Sequence, residues 1–196
     1  MKFTDSPVVE LQSSPNFRAL APPLPTTTGT NNPYSELLDF HSLRLRAIEL
    51  GTGCGASGMP FILLGLHDII LTDISPVMPA LKRNKPVLGK NLKNSVLYWN
   101  KEDQIRAANP PFDLVIAADV VYIEESVGHL VGAMEALVAD DEAVLLGYQL
   151  RSPEADKLFW EMCENVFVID KVPNQDLHPD YAYETDVYVF RKKNSD

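Results

Sequence analysis

The densest chemical signal in the chain is the run IELGTGCGASG, residues Ile48 to Gly58, with glycines at 51, 53, 55 and 58. Glycines so spaced let a backbone turn sharply and approach a ligand with no Cβ in the way. A helix starting just after such a turn offers free N–H groups to whatever sits there. Glu49 stands just ahead of the turn, and Asp73 closes the next apolar run, twenty residues after Gly53. A carboxylate at the end of a second strand can accept hydrogen bonds from both hydroxyls of a ribose. Capping a helix that begins near Pro76 is the alternative for Asp73, but Ser75 is better placed for it. Trp99 ends the run VLYW and can stack on an adenine, a contact worth about 1–3 kcal/mol per base. Asp119 and Tyr122 follow a fourth apolar run in the order Ala118-Asp119-Val120-Val121-Tyr122. Together these residues suit a cofactor that carries an adenosine and a reacting group beside it.

Two cofactor classes use such a turn. Gly53-x-Gly55-x-x-Gly58 satisfies the dinucleotide fingerprint, with Asp73 at the right distance. Glu49-x-Gly51-x-Gly53-x-Gly55 is instead the pattern of class I methyltransferases, whose loop wraps the methionine part of S-adenosyl-L-methionine (AdoMet). The second parsing fits better, because the glycines begin directly after Leu50 and make Gly51 the first turn residue. A nicotinamide enzyme would also need a Tyr/Lys or His/Asp constellation, and none is convincingly placed.

These residues need a scaffold, and the chain alternates accordingly. Strand-like runs cover 45–50, 68–73, 95–99, 112–119 and 142–150, with helix candidates at 57–66, 75–85, 101–107, 124–138 and 152–165. Near-continuous apolar strands separated by helices imply a parallel sheet buried on both faces. Val127, Leu130, Val131, Met134 and Leu137 share one helical face. The last two runs, 167–173 and 185–192, have no helix between them and should pair antiparallel. The expected fold is α/β, a doubly wound Rossmann-like seven-stranded mixed sheet with a C-terminal antiparallel hairpin. Residues 1–44 read as an atypical N-terminal segment with a Pro/Thr-rich linker, and 45–196 as the domain itself. Asn109-Pro110-Pro111-Phe112 matches a motif of amino-group methyltransferases, yet it precedes the fourth strand rather than following it. It therefore belongs at the wrong end of the sheet and reads as a loop that starts the strand.

Bulk properties narrow the partners. A net charge of −10 over 196 residues disfavours nucleic acid, whose phosphates are held by Lys and Arg. Proteins, especially their basic segments, remain suitable. The apolar runs are too short to span a bilayer, and Met1 to Leu11 lacks a signal-peptide pattern. Cys54 and Cys163, with no CxxC pair, argue against a zinc site or a disulfide framework. Four histidines show no ligand spacing, so no metal is expected, and the cytoplasm is the default compartment.

On ELGTGCG (49–55), LTD (71–73), LYW (97–99) and ADVVY (118–122), the chain from Leu45 to Lys192 resembles the methyltransferase-like 21 group of protein-lysine methyltransferases, family 16. Its D-x-x-Y signature is matched by Asp119 and Tyr122. The resemblance implies AdoMet as cofactor, held by Glu49, Gly51, Thr52, Gly53, Asp73, Trp99 and Ala118. It implies that Asp119 and Tyr122 shape the catalytic site where a lysine amine enters, and that the partner is a protein, a chaperone or an ATPase among them. The sequence departs from the group ahead of the first strand, where relatives carry a tryptophan-bearing helix and this chain has no tryptophan before Trp99. A non-catalytic interaction module on the same fold is the reading that this departure favours.

Overall fold

The computed structural model describes residues 45–63, 65–88, 93–177 and 185–193. The N-terminal segment and linker expected over residues 1–44 lie outside the described residues. Strands are β1 (Arg46–Leu50), β2 (Asp68–Asp73), β3 (Lys93–Val96), β4 (Phe112–Ala118), β5 (Val138–Tyr148), β6 (Phe167–Lys171) and β7 (Asp186–Lys192). Helices are α1 (Gly58–Leu63), α2 (Met78–Leu88), α3 (Glu102–Ala107), α4 (Glu124–Leu137) and α5 (Pro153–Val166). One sheet joins the strands in the order β3-β2-β1-β4-β5-β7-β6. Pairs from β3 to β5 are parallel, and β7 runs antiparallel to both β5 and β6. The seven-stranded mixed sheet and its terminal hairpin are as the sequence expects.

Strand alternation sends successive side chains to opposite faces, and both faces are covered. Ile48, Leu50, Val115, Ala117, Val144 and Leu146 pack with α4 and α5. Ala47, Ile69, Leu71, Leu114, Ile116 and Leu145 pack with Phe61 of α1 and Leu81 of α2. The five apolar residues of α4 read from their spacing are all buried. On α5, Ser152 accepts a hydrogen bond from the Ala155 amide as N-cap, while Phe159 and Cys163 enter the core. Burial pushes the Cys163 thiol up to about 12. Among the described residues, no helix is long and apolar enough to cross a membrane.

Several element ends differ from the sequence expectation, and two of them have a clear cause in strand pairing. β3 stops at Val96, paired with Asp73, because β2 ends there and offers no further ladder partner. Trp99 thus stands in the turn beyond the strand rather than at its end. β5 begins at Val138, opposite Phe112, and its register with β4 shifts before Ala143 pairs Leu114.

The Asn109–Phe112 loop lies at the amino end of β4. Arg46 of β1 donates to the carbonyls of Asn109 at 2.7 Å, Pro111 at 3.0 Å and Ala108 at 3.1 Å. Its guanidinium also stacks on Phe112, 4.2 Å from the ring centroid. This loop is held as a structural collar, at the edge of the sheet away from the glycine turn.

Candidate active site

β1 pairs with β2 on one side and β4 on the other, so the chain order reverses at β1. In open α/β sheets ligands bind outside the carboxyl ends of the strands at such a switch point. The glycine turn leaves β1 there, and Asp119 follows β4 there. Gly51, Gly53 and Gly55 all have positive φ, at 67°, 58° and 90°, a conformation that costs other residues roughly 1–2 kcal/mol. At Gly51 a Cβ would also meet Val120 Cγ1 at 2.8 Å. At Gly53 it would meet nothing within 4 Å, so this backbone faces open space. Gly58 differs, because its requirement is room: a Cβ would lie 2.5 Å from Leu71 Cδ2 and 2.8 Å from Glu49 Oε2. The alternate glycines 51, 53 and 55 make the turn, and Gly58 lets α1 settle on the sheet.

Hydrogen bonds fix the loop from below and from both sides. Thr52 N donates to Thr72 O at 3.0 Å, and Asn84 Nδ2 of α2 donates to Cys54 O at 2.9 Å. Asp73 Oδ2 accepts from Gly53 N at 2.7 Å, while Oδ1 accepts from Ile74 N at 2.7 Å. Asp73 therefore does not cap α2, whose first residue is Met78. A carboxylate has about four acceptor sites, so its two bonds leave capacity for the hydroxyls of a ribose. Burial raises the Asp73 carboxyl above its usual range, against the lowering effect of the Gly53 and Ile74 amides.

Glu49 takes a different position. None of its surface is exposed, and its carboxylate accepts from Thr52 Oγ1 at 2.6 Å and from Ser57 Oγ. Burial raises its carboxyl to about 7, with the Ser57 and Thr52 hydroxyls opposing and the Asp73 charge adding to the rise. It braces the turn from inside.

Above the turn opens a cleft of about 690 Å³. Gly51, Gly53, Asp73, Trp99, Asp119 and Tyr122 all line it, so the structure gathers these six expected site residues around one space. It does not bring the other three into that wall. Glu49 and Thr52 are buried beneath the loop, and Ala118 packs on the α1–α2 side of the sheet. Trp99 lies beside the turn, its Cζ2 3.5 Å from the position of a Gly51 Cβ. Tyr122 is 56% exposed, and burial of its remainder, then the charges of Asp73 and Asp119, raise its hydroxyl above the usual range.

Several participants went unread in the sequence. Ser57 and Asn84 gave no signal, because their contacts depend on how α1 and α2 meet the loop. Glu125 and His129 of α4 and Tyr98 line the cleft as well. Arg151, in the loop after β5, grips Asp119 with both prongs, Nε to Oδ1 at 2.8 Å and Nη2 to Oδ2 at 2.8 Å. Its position beyond the carboxyl end of β5, next to β4, was the available clue. Two residues earlier, Gln149 Oε1 is buried without a hydrogen-bond partner among the described residues, an open acceptor at the same sheet edge.

The reversal at β1, the glycine turn, the acid ending β2 and the inserted antiparallel β7 define a Rossmann-like methyltransferase domain. Solved methyltransferases share this fold: human N-acetylserotonin methyltransferase in complex with SAM superposes with a TM-score of 0.56 at 15% identity, covering 81% of this chain and 51% of that one. The chain belongs to the lysine methyltransferase family, whose model matches residues 32–166. It is 29% identical to protein N-lysine methyltransferase METTL21A of Mus musculus over 172 residues, 82% of this chain and 73% of that protein. It is 26% identical to EEF1A lysine methyltransferase 3 of Mus musculus over 129 residues, 64% of this chain and 53% of that protein.

Proposed function

We propose that the cleft binds AdoMet and that the chain, as a member of the lysine methyltransferase family, uses it to methylate a lysine side chain of a protein. The observation that carries this reading is the charge of the cleft. Among the described residues, Asp73 and Glu125 line it without a paired cation, Asp119 lines it in its fork with Arg151, and no Lys or Arg is part of the wall itself. Such a wall favours cationic ligands, here a sulfonium and a lysine amine, and disfavours a diphosphate. A dinucleotide would bring its pyrophosphate to a turn flanked by Asp73, with no cation lining the wall to offset it. Size and lining also fit, since Leu97, Trp99 and Val120 supply an apolar strip beside the acids.

When bound, AdoMet supplies a methyl group on a cationic sulfur that departs as a neutral thioether. In this reading the chain's own residues do the rest. Asp73 accepts from the ribose hydroxyls, Trp99 stacks on the adenine, and the Gly51 and Gly53 backbone admits the methionine part. Glu49 and Thr52 act from beneath, by holding the turn in shape. The incoming amine must be neutral, and free Lys has a pKa of about 10.4, so deprotonation at pH 7 costs roughly 4–5 kcal/mol. The apolar strip and the cationic sulfur lower that cost, and the proton leaves to solvent. Asp119 orients the amine at the mouth, Tyr122 lines its path, and alignment supplies most of the rate.

The acidic chain suits a lysine set among basic or neutral residues of its partner, and a chaperone or an ATPase is the partner class the resemblance implies. The cytoplasm is the compartment proposed, since a chain with two cysteines and no CxxC pair has no disulfide framework to maintain. Calorimetric titration separates the cofactor readings. Micromolar binding of AdoMet, lost in Asp73→Ala, with no binding of NADH is expected. Binding of NADH in preference to AdoMet would overturn the assignment.

A further inference from the structure

We propose that Arg151 is a positioning residue of the transfer site: it fixes the Asp119 carboxylate and neutralises it, so that the target amine meets a balanced charge. The inference rests on the reading of the cleft given under Proposed function.

Asp119 sits in an unusual backbone position. Its φ is +55°, and its N–H donates across to Gly147 O of β5 at 3.0 Å. That tie draws the end of β4 toward the end of β5, where Arg151 follows. The guanidinium then meets both carboxylate oxygens at 2.8 Å, the fork geometry that fixes a carboxylate plane. The pair is partly open to solvent, with side-chain exposures of 42% for Arg151 and 32% for Asp119. A ligand can therefore reach it.

The chemistry of the site explains why this matters. Methyl transfer needs an unprotonated amine, yet a bare carboxylate beside an amine stabilises the ammonium. Among the described residues, no Lys or Arg lines this space. Asp73 comes from the end of β2 and Glu125 from α4, with Tyr98, Tyr122 and His129 completing the titratable set. Arg151 is the cation that meets Asp119, and it supplies what the cleft wall lacks. With the guanidinium in place, Asp119 keeps its orientation while the negative charge it presents to an amine is offset. Lysine at this position would keep the charge while losing the fork.

The test uses the full chain and two ligands whose difference isolates this charge. One is the amino analogue of AdoMet, with an amine-bearing carbon in place of the sulfonium. The other is the neutral demethylated product, S-adenosylhomocysteine. Both are titrated calorimetrically from pH 6 to 10 against wild type, R151Q and R151K. In R151Q the preference for the amine over the neutral ligand should rise about tenfold and persist about one pH unit higher, the scale of one charge at a half-exposed site. In R151K the preference should stay near that of wild type. Equal weakening of both ligands in R151Q, or an unchanged preference, would make Arg151 merely structural and overturn the inference. If wild type binds neither ligand, the cofactor reading itself fails and takes this inference with it.

Discussion

Glu49 offers a prediction whose size follows from its burial. Its carboxyl has no exposed surface and is raised to about 7 from an ordinary value of 4.5. A carboxyl whose folded value lies above its unfolded one binds its proton more tightly when folded. Its contribution is thus intact below the unfolded value and is lost as pH climbs toward and past the folded value. At 1.36 kcal/mol per unit, the swing is about 3 kcal/mol between acid and alkaline conditions. Glu49→Gln keeps the shape and can still bond the Thr52 and Ser57 hydroxyls, but it never ionises. Urea unfolding of both proteins at pH 5, 7 and 8.5 gives the difference directly, with effects common to both cancelling. The two should be of similar stability at pH 5, and the variant should be about 3 kcal/mol more stable at pH 8.5. A stability gap that does not change with pH would refute the claim that this carboxyl is buried beneath the turn.

Other outcomes follow from the same geometry. Gly58→Ala forces a methyl group to within 2.5 Å of Leu71 Cδ2 and should cost about 1–3 kcal/mol by urea unfolding; an unchanged midpoint would contradict the packing. Asn84→Ala removes the tether on Cys54 O and should cost about 1 kcal/mol of stability, with AdoMet affinity falling alongside in calorimetry. Trp99→Ala should weaken AdoMet by about 1–3 kcal/mol in the same titration if the indole stacks on adenine, whereas unaltered affinity would remove it from the site. Asp119→Asn should leave AdoMet affinity within a few-fold and lower methyl transfer by about two orders of magnitude, measured as labelled product per turnover.

The fold was legible because β1, β2 and β4 are short, mostly apolar runs and α4 and α5 each carry one apolar face. The turn was legible because glycine chemistry is local: three positive φ angles at alternate positions need three glycines. Less visible were features set by pairing. Leu97, Tyr98 and Trp99 look strand-like, but β2 ends at Asp73 and leaves them no ladder, so they turn over the cleft instead. Ala139 to Asp141 fall between the expected helix and strand, yet they continue β5 on the far side of its register shift against β4. Two site residues implied by resemblance lie off the cleft wall, and strand alternation accounts for it. Glu49 shares its parity with Ala47, and Ala118 shares its own with Leu114 and Ile116, all on the α1–α2 side. That parity was readable from the strands themselves. The Arg151–Asp119 fork was not, because 32 residues separate partners that only the β4–β5 pairing brings together.

Methyl transfer to protein tests the central claim most directly. The folded chain is incubated with methyl-labelled AdoMet and a protein extract, beside Asp73→Ala, and the labelled residue is located by mass spectrometry. Label on lysine side chains with the wild-type chain, and none with the variant, is the expected result. A folded, AdoMet-binding wild-type chain that labels no lysine, or labels only other groups, would contradict it.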